Sequence, residues 1–201
     1  MPGGESRIGK LGDVFAGVEA DVPDALADHL RGVALIDHHV HGAFNERVDR
    51  ADFEAAINEG STDPVPAFMT QFDSPLGLSI RRWCAPLLGL DALAGADDYW
   101  ARRSEFAPDQ LARLMLPAAG VTRWIVDTGF KGDLITTPER LTELSGTPSS
   151  EILRLERLAE DLLENGTSPD DFPDAFRSAL RGAVDSPDVV GTKTISAYRS
   201  G

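Results

Sequence analysis

Val33-Ala34-Leu35-Ile36-Asp37-His38-His39-Val40-His41-Gly42 places three of the chain's four histidines directly after a short apolar run. Side chains alternate along an extended strand, so Asp37, His39 and His41 face one way while His38 and Val40 face the other. Two imidazoles therefore converge where a strand runs out. Neutral imidazole is a strong ligand for zinc, iron or nickel, and two ligands carried by one rigid strand need little ordering. The segment reads as half of a metal site. The competing reading is a solvated or hydrogen-bonded pair of loop histidines; the strand context and the upstream Asp37 favour the metal.

The rest of the chain reads as alternating strands and helices. Leu11, Val14, Phe15 and Val18 recur at helical spacing, and a second short helix runs from Val22 to Leu30, where His29 is a surface residue. After the histidine segment, Arg50 to Glu59 is a helix ended by Gly60, and 61–74 is a polar loop. The stretch 75–120 is helical and unusually long for a connection between strands, so it reads as an insertion whose Leu and aromatic positions are packing. Thr122 to Gly129 is the second strand, Thr137 to Gly146 a helix with an N-cap and Pro at its first position, and Glu151 to Glu156 the third strand. Helices over 158–164 and 170–184 precede a fourth strand, Val189 to Ile195. The expected organisation is N-terminal helices over 1–32 and a partial barrel over 33–201.

Strands alternating with helices imply parallel βα units, in which ligands sit beyond the carboxyl ends of the strands. The polar residues follow that rule. His39 and His41 end the first strand, and Asp127 with Thr128 the second. Arg154 and Glu156 share a face of the third, opposite Leu153 and Leu155, and Lys193, Tyr198 and Arg199 lie on or after the fourth. Asp127, Arg154, Glu156, Tyr198 and Arg199 are therefore candidate substrate-binding residues. Structural roles compete: a mutual salt bridge for Arg154 and Glu156, loop anchoring for Tyr198 and Arg199, and a purely structural carboxylate for Asp127.

The 201 residues are 42% hydrophobic and 26% charged, enough to build a core for one soluble domain or a little more. Nineteen Lys and Arg against 33 Asp and Glu leave a net charge of −14, with no basic run beyond Arg81-Arg82 and Arg102-Arg103, so neither nucleic acid nor an anionic membrane surface is an expected partner. Cys84 is the only cysteine; it forms no internal disulfide, and its apolar context makes it a small hydrophobe rather than a nucleophile. Neither a signal peptide nor a run of 18 apolar residues is visible, and the expectation is a cytoplasmic protein.

Asp-x-His-x-His at the end of a first strand followed by βα repeats resembles the amidohydrolase superfamily, metal-dependent hydrolases on a (β/α)8 barrel. Asp37–Gly42, Phe72-Asp73-Ser74-Pro75-Leu76-Gly77, Arg82-Trp83-Cys84, Val126-Asp127-Thr128-Gly129-Phe130 and Gly191–Arg199 are similar, over about residues 30 to 201, to the type that in some organisms is fused to a glutamine-synthetase-like domain. The fold expected is α/β: the N-terminal half of such a barrel, with about four parallel strands and a helical insertion. The resemblance implies hydrolysis of a C–N bond in a small-molecule substrate by metal-activated water. His39 and His41 would be the first two ligands of a divalent ion, zinc being the expected one.

In that superfamily a lysine ending the fourth strand is, in some members, carboxylated and bridges two metals, which makes Lys193 a further candidate ligand; pairing with Glu156, contact with a substrate carboxylate or snorkelling to water are its other readings. The resemblance also places the remaining ligands and the proton-accepting Asp on later strands. No histidine follows His41 and the sequence stops at Gly201, just after its fourth strand, so the catalytic residue is unknown and the Asp is expected beyond Gly201. The expectation is an N-terminal piece of a longer protein, inactive alone, whose full-length form is a candidate homo-oligomer. Two histidines fall one short of the three protein ligands usual for catalytic zinc, so metal affinity should be poor unless Lys193 or Asp127 contributes. The alternatives are a metal-dependent decarboxylase of the same superfamily and a non-catalytic half-barrel assembly module, whose open strand edges would demand a partner.

Overall fold

The computed structural model describes residues 23–58, 65–66, 68–130 and 132–197. The chain divides into two compact units, Met1–Ala34 with Glu46–Gly120 and Leu35–Asn45 with Val121–Gly201. The helix expected over Leu11–Val18 lies outside the described residues.

The first unit holds α1 (Asp24–Gly32), α2 (Arg50–Ile57), α3 (Pro75–Trp83), α4 (Ala96–Ser104) and α5 (Pro108–Ala118). The starts of α2 and α3 follow from local chemistry. Asp49 accepts the Asp52 N–H at 2.8 Å, and Ser74 Oγ accepts the Gly77 N–H at 3.1 Å with Pro75 in the first helical position. Phe72, Ala85, Leu88 and Tyr99 form the buried centre, with Phe53, Cys84 and Trp100 among the half-buried residues packed on it. The Phe72 ring lies 5.7 Å from Phe53 and 5.5 Å from Tyr99. Glu54 ties α2 to the turn before α3, accepting from Arg50 Nε at 2.7 Å, Thr70 Oγ1 at 2.6 Å and the Gln71 N–H at 2.7 Å. Burial pushes its carboxyl pKa up, but these bonds outweigh burial and hold it below the usual range. Burial also raises the pKa of the Cys84 thiol, leaving an uncharged group suited to packing.

The second unit is a four-stranded sheet of β1 (Leu35–Val40), β2 (Val121–Val126), β3 (Ser149–Arg154) and β4 (Val189–Lys193) with α6 (Pro138–Ser145), α7 (Leu155–Glu164) and α8 (Phe172–Val184). Every pairing is parallel and the spatial order is β1-β2-β3-β4. Sequence order without reversal is the arrangement of neighbouring barrel strands; a doubly wound sheet would reverse direction from its first strand. Four parallel strands with intervening helices make this a partial α/β barrel. Its packed centre lies on β2 and α6, where Trp124, Val126, Leu141 and Leu144 are buried. Thr137 Oγ1 accepts the Arg140 N–H at 3.2 Å, and Gly146 closes α6 at φ 70°, where a residue with a side chain would be strained.

Several expected boundaries shift, and the second strand ends at Val126 rather than Gly129. The third strand starts earlier, at Ser149, and stops at Arg154, so Glu156 belongs to the first turn of α7 rather than to a strand face shared with Arg154. Ile152-Leu153-Arg154-Leu155-Glu156 alternates as a strand would, but Leu155, Leu158 and Leu162 also satisfy helical spacing, and the helix takes them. The fourth strand stops at Lys193 instead of Ile195.

Candidate metal centre

β1 delivers both imidazoles to the carboxyl end of the sheet. Beyond it the chain is tied down: the Thr136 N–H donates to Ala43 O at 2.7 Å and the Ala43 N–H to Thr136 Oγ1 at 3.0 Å. Gly42 sits against this crossing so tightly that a Cβ there would lie 2.3 Å from Thr136 O. The exit direction of His41 is thereby set by backbone contacts. The two rings stand 5.2 Å apart, nearly perpendicular.

The neighbouring strand contributes the third group. The Asp127 N–H donates to Val40 O at 2.8 Å, which brings its fully buried carboxylate beside the histidines. One ligand atom each from His39, His41 and Asp127 lies within 4.8 Å of the others. His41 Nδ1 is 3.2 Å from the Asp127 carbonyl oxygen; with a proton on Nδ1 donating there, Nε2 keeps its lone pair. A ring nitrogen bonded to a backbone carbonyl is the usual outer-shell support of a ligating histidine. Two imidazoles and a carboxylate are a donor set that fits a divalent ion such as zinc.

Charge is balanced on Asp127 Oδ2. Arg154 reaches it with Nη2 at 2.5 Å and Nε at 3.2 Å, and Lys193 Nζ is 2.9 Å away. Oδ1 accepts the Gly129 N–H at 3.0 Å. Burial pushes the carboxyl pKa up, but the hydrogen bonds and charges of Arg154 and Lys193 prevail and hold it at about 2. His39 Nε2 lies 2.6 Å from Lys193 Nζ and 3.5 Å from Asp127 Oδ2. Desolvation and the positive charge of Lys193 lower the His39 pKa, so its ring is neutral at pH 7, the state that ligates metal.

The candidate residues thus separate. His39, His41, Asp127, Arg154 and Lys193 come together in the second unit. Glu156 does not join them through Arg154: its Oε1 accepts the Thr194 hydroxyl and, at 2.9 Å, the Ile195 N–H, so it anchors the segment after β4. The mutual Arg154–Glu156 salt bridge gives way to the pairing of Arg154 with Asp127. Asp37, on the expected ligand face, uses Oδ1 to accept the His39 N–H at 3.2 Å; β1 departs from regular pairing between Asp37 and Val40. Tyr198 and Arg199 lie outside the described residues. Gly129 and Phe130, which strand alternation alone does not mark as site residues, also lie in this cluster. Phe130 packs 4.8 Å from the His41 ring and lies under the Arg154 guanidinium at 5.7 Å; the available signal was their place just beyond a strand-end aspartate.

No protein-family profile and no curated protein matches the sequence. A solved structure does: a protein from Lactobacillus casei ATCC 334, provisionally described as a metal-dependent hydrolase, with TM-score 0.56 and 24% identity over 85% of this chain and 44% of that one. The likeness is one of fold, and the chain spans less than half the length of that neighbour. Among the described residues no helix is long and apolar enough to cross a membrane.

Proposed function

We propose that this chain carries the first part of the active site of a metal-dependent hydrolase, of the amidohydrolase kind, acting on a C–N bond of a small amide-like substrate. The observation that carries the reading is the convergence of His39, His41 and Asp127 from two adjacent parallel strands at their carboxyl ends. That is where barrel enzymes build their sites. Fold likeness to a protein described as a metal-dependent hydrolase supports it.

His39, His41 and Asp127 would hold the ion. A bound divalent cation lowers the pKa of water toward ~7 and polarises the carbonyl to be attacked. Asp127 is a permanent anion at neutral pH, since a carboxyl held at about 2 is far from the pKa near 7 that suits a proton acceptor. Its work is charge and orientation. His41 is turned by the Asp127 carbonyl, and Arg154 with Lys193 offsets the buried carboxylate. Proton transfer from the water belongs to a group outside this cluster, and the chain alone is expected to be inactive or nearly so.

Zinc titration of chelator-treated chain, followed by calorimetry, tests the site. Stoichiometric binding is expected, with His39→Ala and His41→Ala each weakening it by more than the ~10–100-fold that outer-shell partners typically control. Equal affinity in both variants and wild type would reject the site. For the reaction, a panel of amides and carboxylic acids is assayed with the metal-loaded full-length form, which should give amide hydrolysis; carbon dioxide release without hydrolysis would reject it in favour of decarboxylation.

A further inference from the structure

We propose that Arg154 is the positioning residue of this centre and that Gly129 lacks a side chain in order to admit it; the proposal rests on the metal-site reading above. A fully buried carboxylate such as Asp127 is costly to desolvate unless it is paired and hydrogen-bonded. Arg154, one strand over, supplies two bonds to Oδ2 from a guanidinium whose planar fork fixes direction as well as charge. With Oδ1 held by the Gly129 N–H, both oxygens are restrained from opposite sides. Lys193, the other cation on Oδ2, is a point charge on a flexible stem and supplies charge without that directionality.

The arginine must itself be held, and the loop after β2 does this. A Cβ on Gly129 would lie 2.8 Å from Arg154 Cβ, 3.1 Å from Cδ and 3.2 Å from Nε. Gly129 is not among the glycines with positive φ, so its backbone would accept alanine; the bare Cα is required by the arginine stem. Phe130 packs beside it, its ring centre 5.7 Å from the guanidinium and 4.8 Å from the His41 ring. Four consecutive residues, Asp127 to Phe130, thereby connect Arg154 to a carboxylate and an imidazole of the ligand set: an amide on Asp127 Oδ1, a carbonyl on His41 Nδ1, and one ring against His41 and Arg154 together. Arg154 acts through these groups rather than on substrate.

The test measures zinc affinity by competition with a chromophoric chelator, and the absorption spectrum of the cobalt-loaded protein, for wild type, Arg154→Met, Arg154→Lys, Gly129→Ala and His39→Ala. Circular dichroism reports whether each sample is folded. Arg154→Met and Gly129→Ala are expected to bind zinc about 10–100-fold more weakly and to alter the cobalt spectrum. Arg154→Lys should recover part of the affinity. If wild type binds and His39→Ala does not, while Gly129→Ala and the folded Arg154 variants bind as wild type with an unchanged spectrum, the positioning role is overturned and the metal site stands. If wild type itself does not bind, the metal-site reading falls and takes the proposal with it. Should Arg154→Met not fold, wild-type affinity in both Gly129→Ala and Arg154→Lys overturns the proposal equally.

Discussion

Replacing Asp127 with Asn should make the protein's stability lose a particular pH dependence. The carboxyl is fully buried and sits at about 2 against an ordinary 3.8. At about 1.4 kcal/mol per pH unit, that depression is worth about 2 kcal/mol of folding free energy at neutral pH. Because the folded pKa is the lower one, the contribution is fully present above the unfolded value and disappears as pH falls from about 4 through about 2. Asn keeps the shape but removes the charge, leaving Arg154 and Lys193, whose side chains are only 12% and 16% exposed, without their shared counter-ion. Breaking a buried pair from one side costs about 3–5 kcal/mol; with two partly hydrated cations the expected loss at pH 7 is near the bottom of that range, about 3 kcal/mol. Urea unfolding of chelator-treated wild type and Asp127→Asn, followed by fluorescence and circular dichroism at several pH values from 7 to 2, reads both quantities. Asp127 also favours the protonated form of the neighbouring His39, so both proteins are compared in a His39→Ala background, where the gap between them should narrow by about 2 kcal/mol across the acid limb. A gap that stays constant from pH 6 to 2, or a variant as stable as wild type at pH 7, refutes the account of Asp127 as a buried anion held by Arg154 and Lys193.

Two further substitutions probe the backbone contacts that seat each unit. Gly42→Ala would put a Cβ 2.3 Å from Thr136 O; the obstruction is backbone, so a loss of about 1–3 kcal/mol is expected, seen as a lowered thermal midpoint, and a neutral result would contradict the crossing after β1. Gly77→Ala would place a Cβ 2.1 Å from Gln71 O and 2.4 Å from Phe72 Cα, and should cost a similar amount, with faster amide hydrogen exchange in α3 and unchanged exchange in β2.

Much of the scaffold could be read from local pattern. Thr137-Pro138 and Gly146 delimit α6 because capping and left-handed φ are properties of a few adjacent residues. The parallel sheet followed from strands alternating with helices. Ambiguity appeared where two periods coincide, at Leu155 and Glu156, where Glu156 found its partners across the unit at Thr194 and Ile195.

The chain's one-dimensional order was enough to send His39 and His41 to the same side of a strand end, because alternation along β structure is a covalent property of the backbone. What it left open was who would stand beside them. Asp127 is 86 positions from His41 and Arg154 a further 27 along, and their meeting depends on which strand pairs with which and in what register. Only the assembled sheet could choose Asp127 over Asp37 as the carboxylate of the cluster and pair Arg154 with Asp127 rather than Glu156. Each choice rests on distances of a few ångströms between segments far apart in the chain, which no local periodicity encodes.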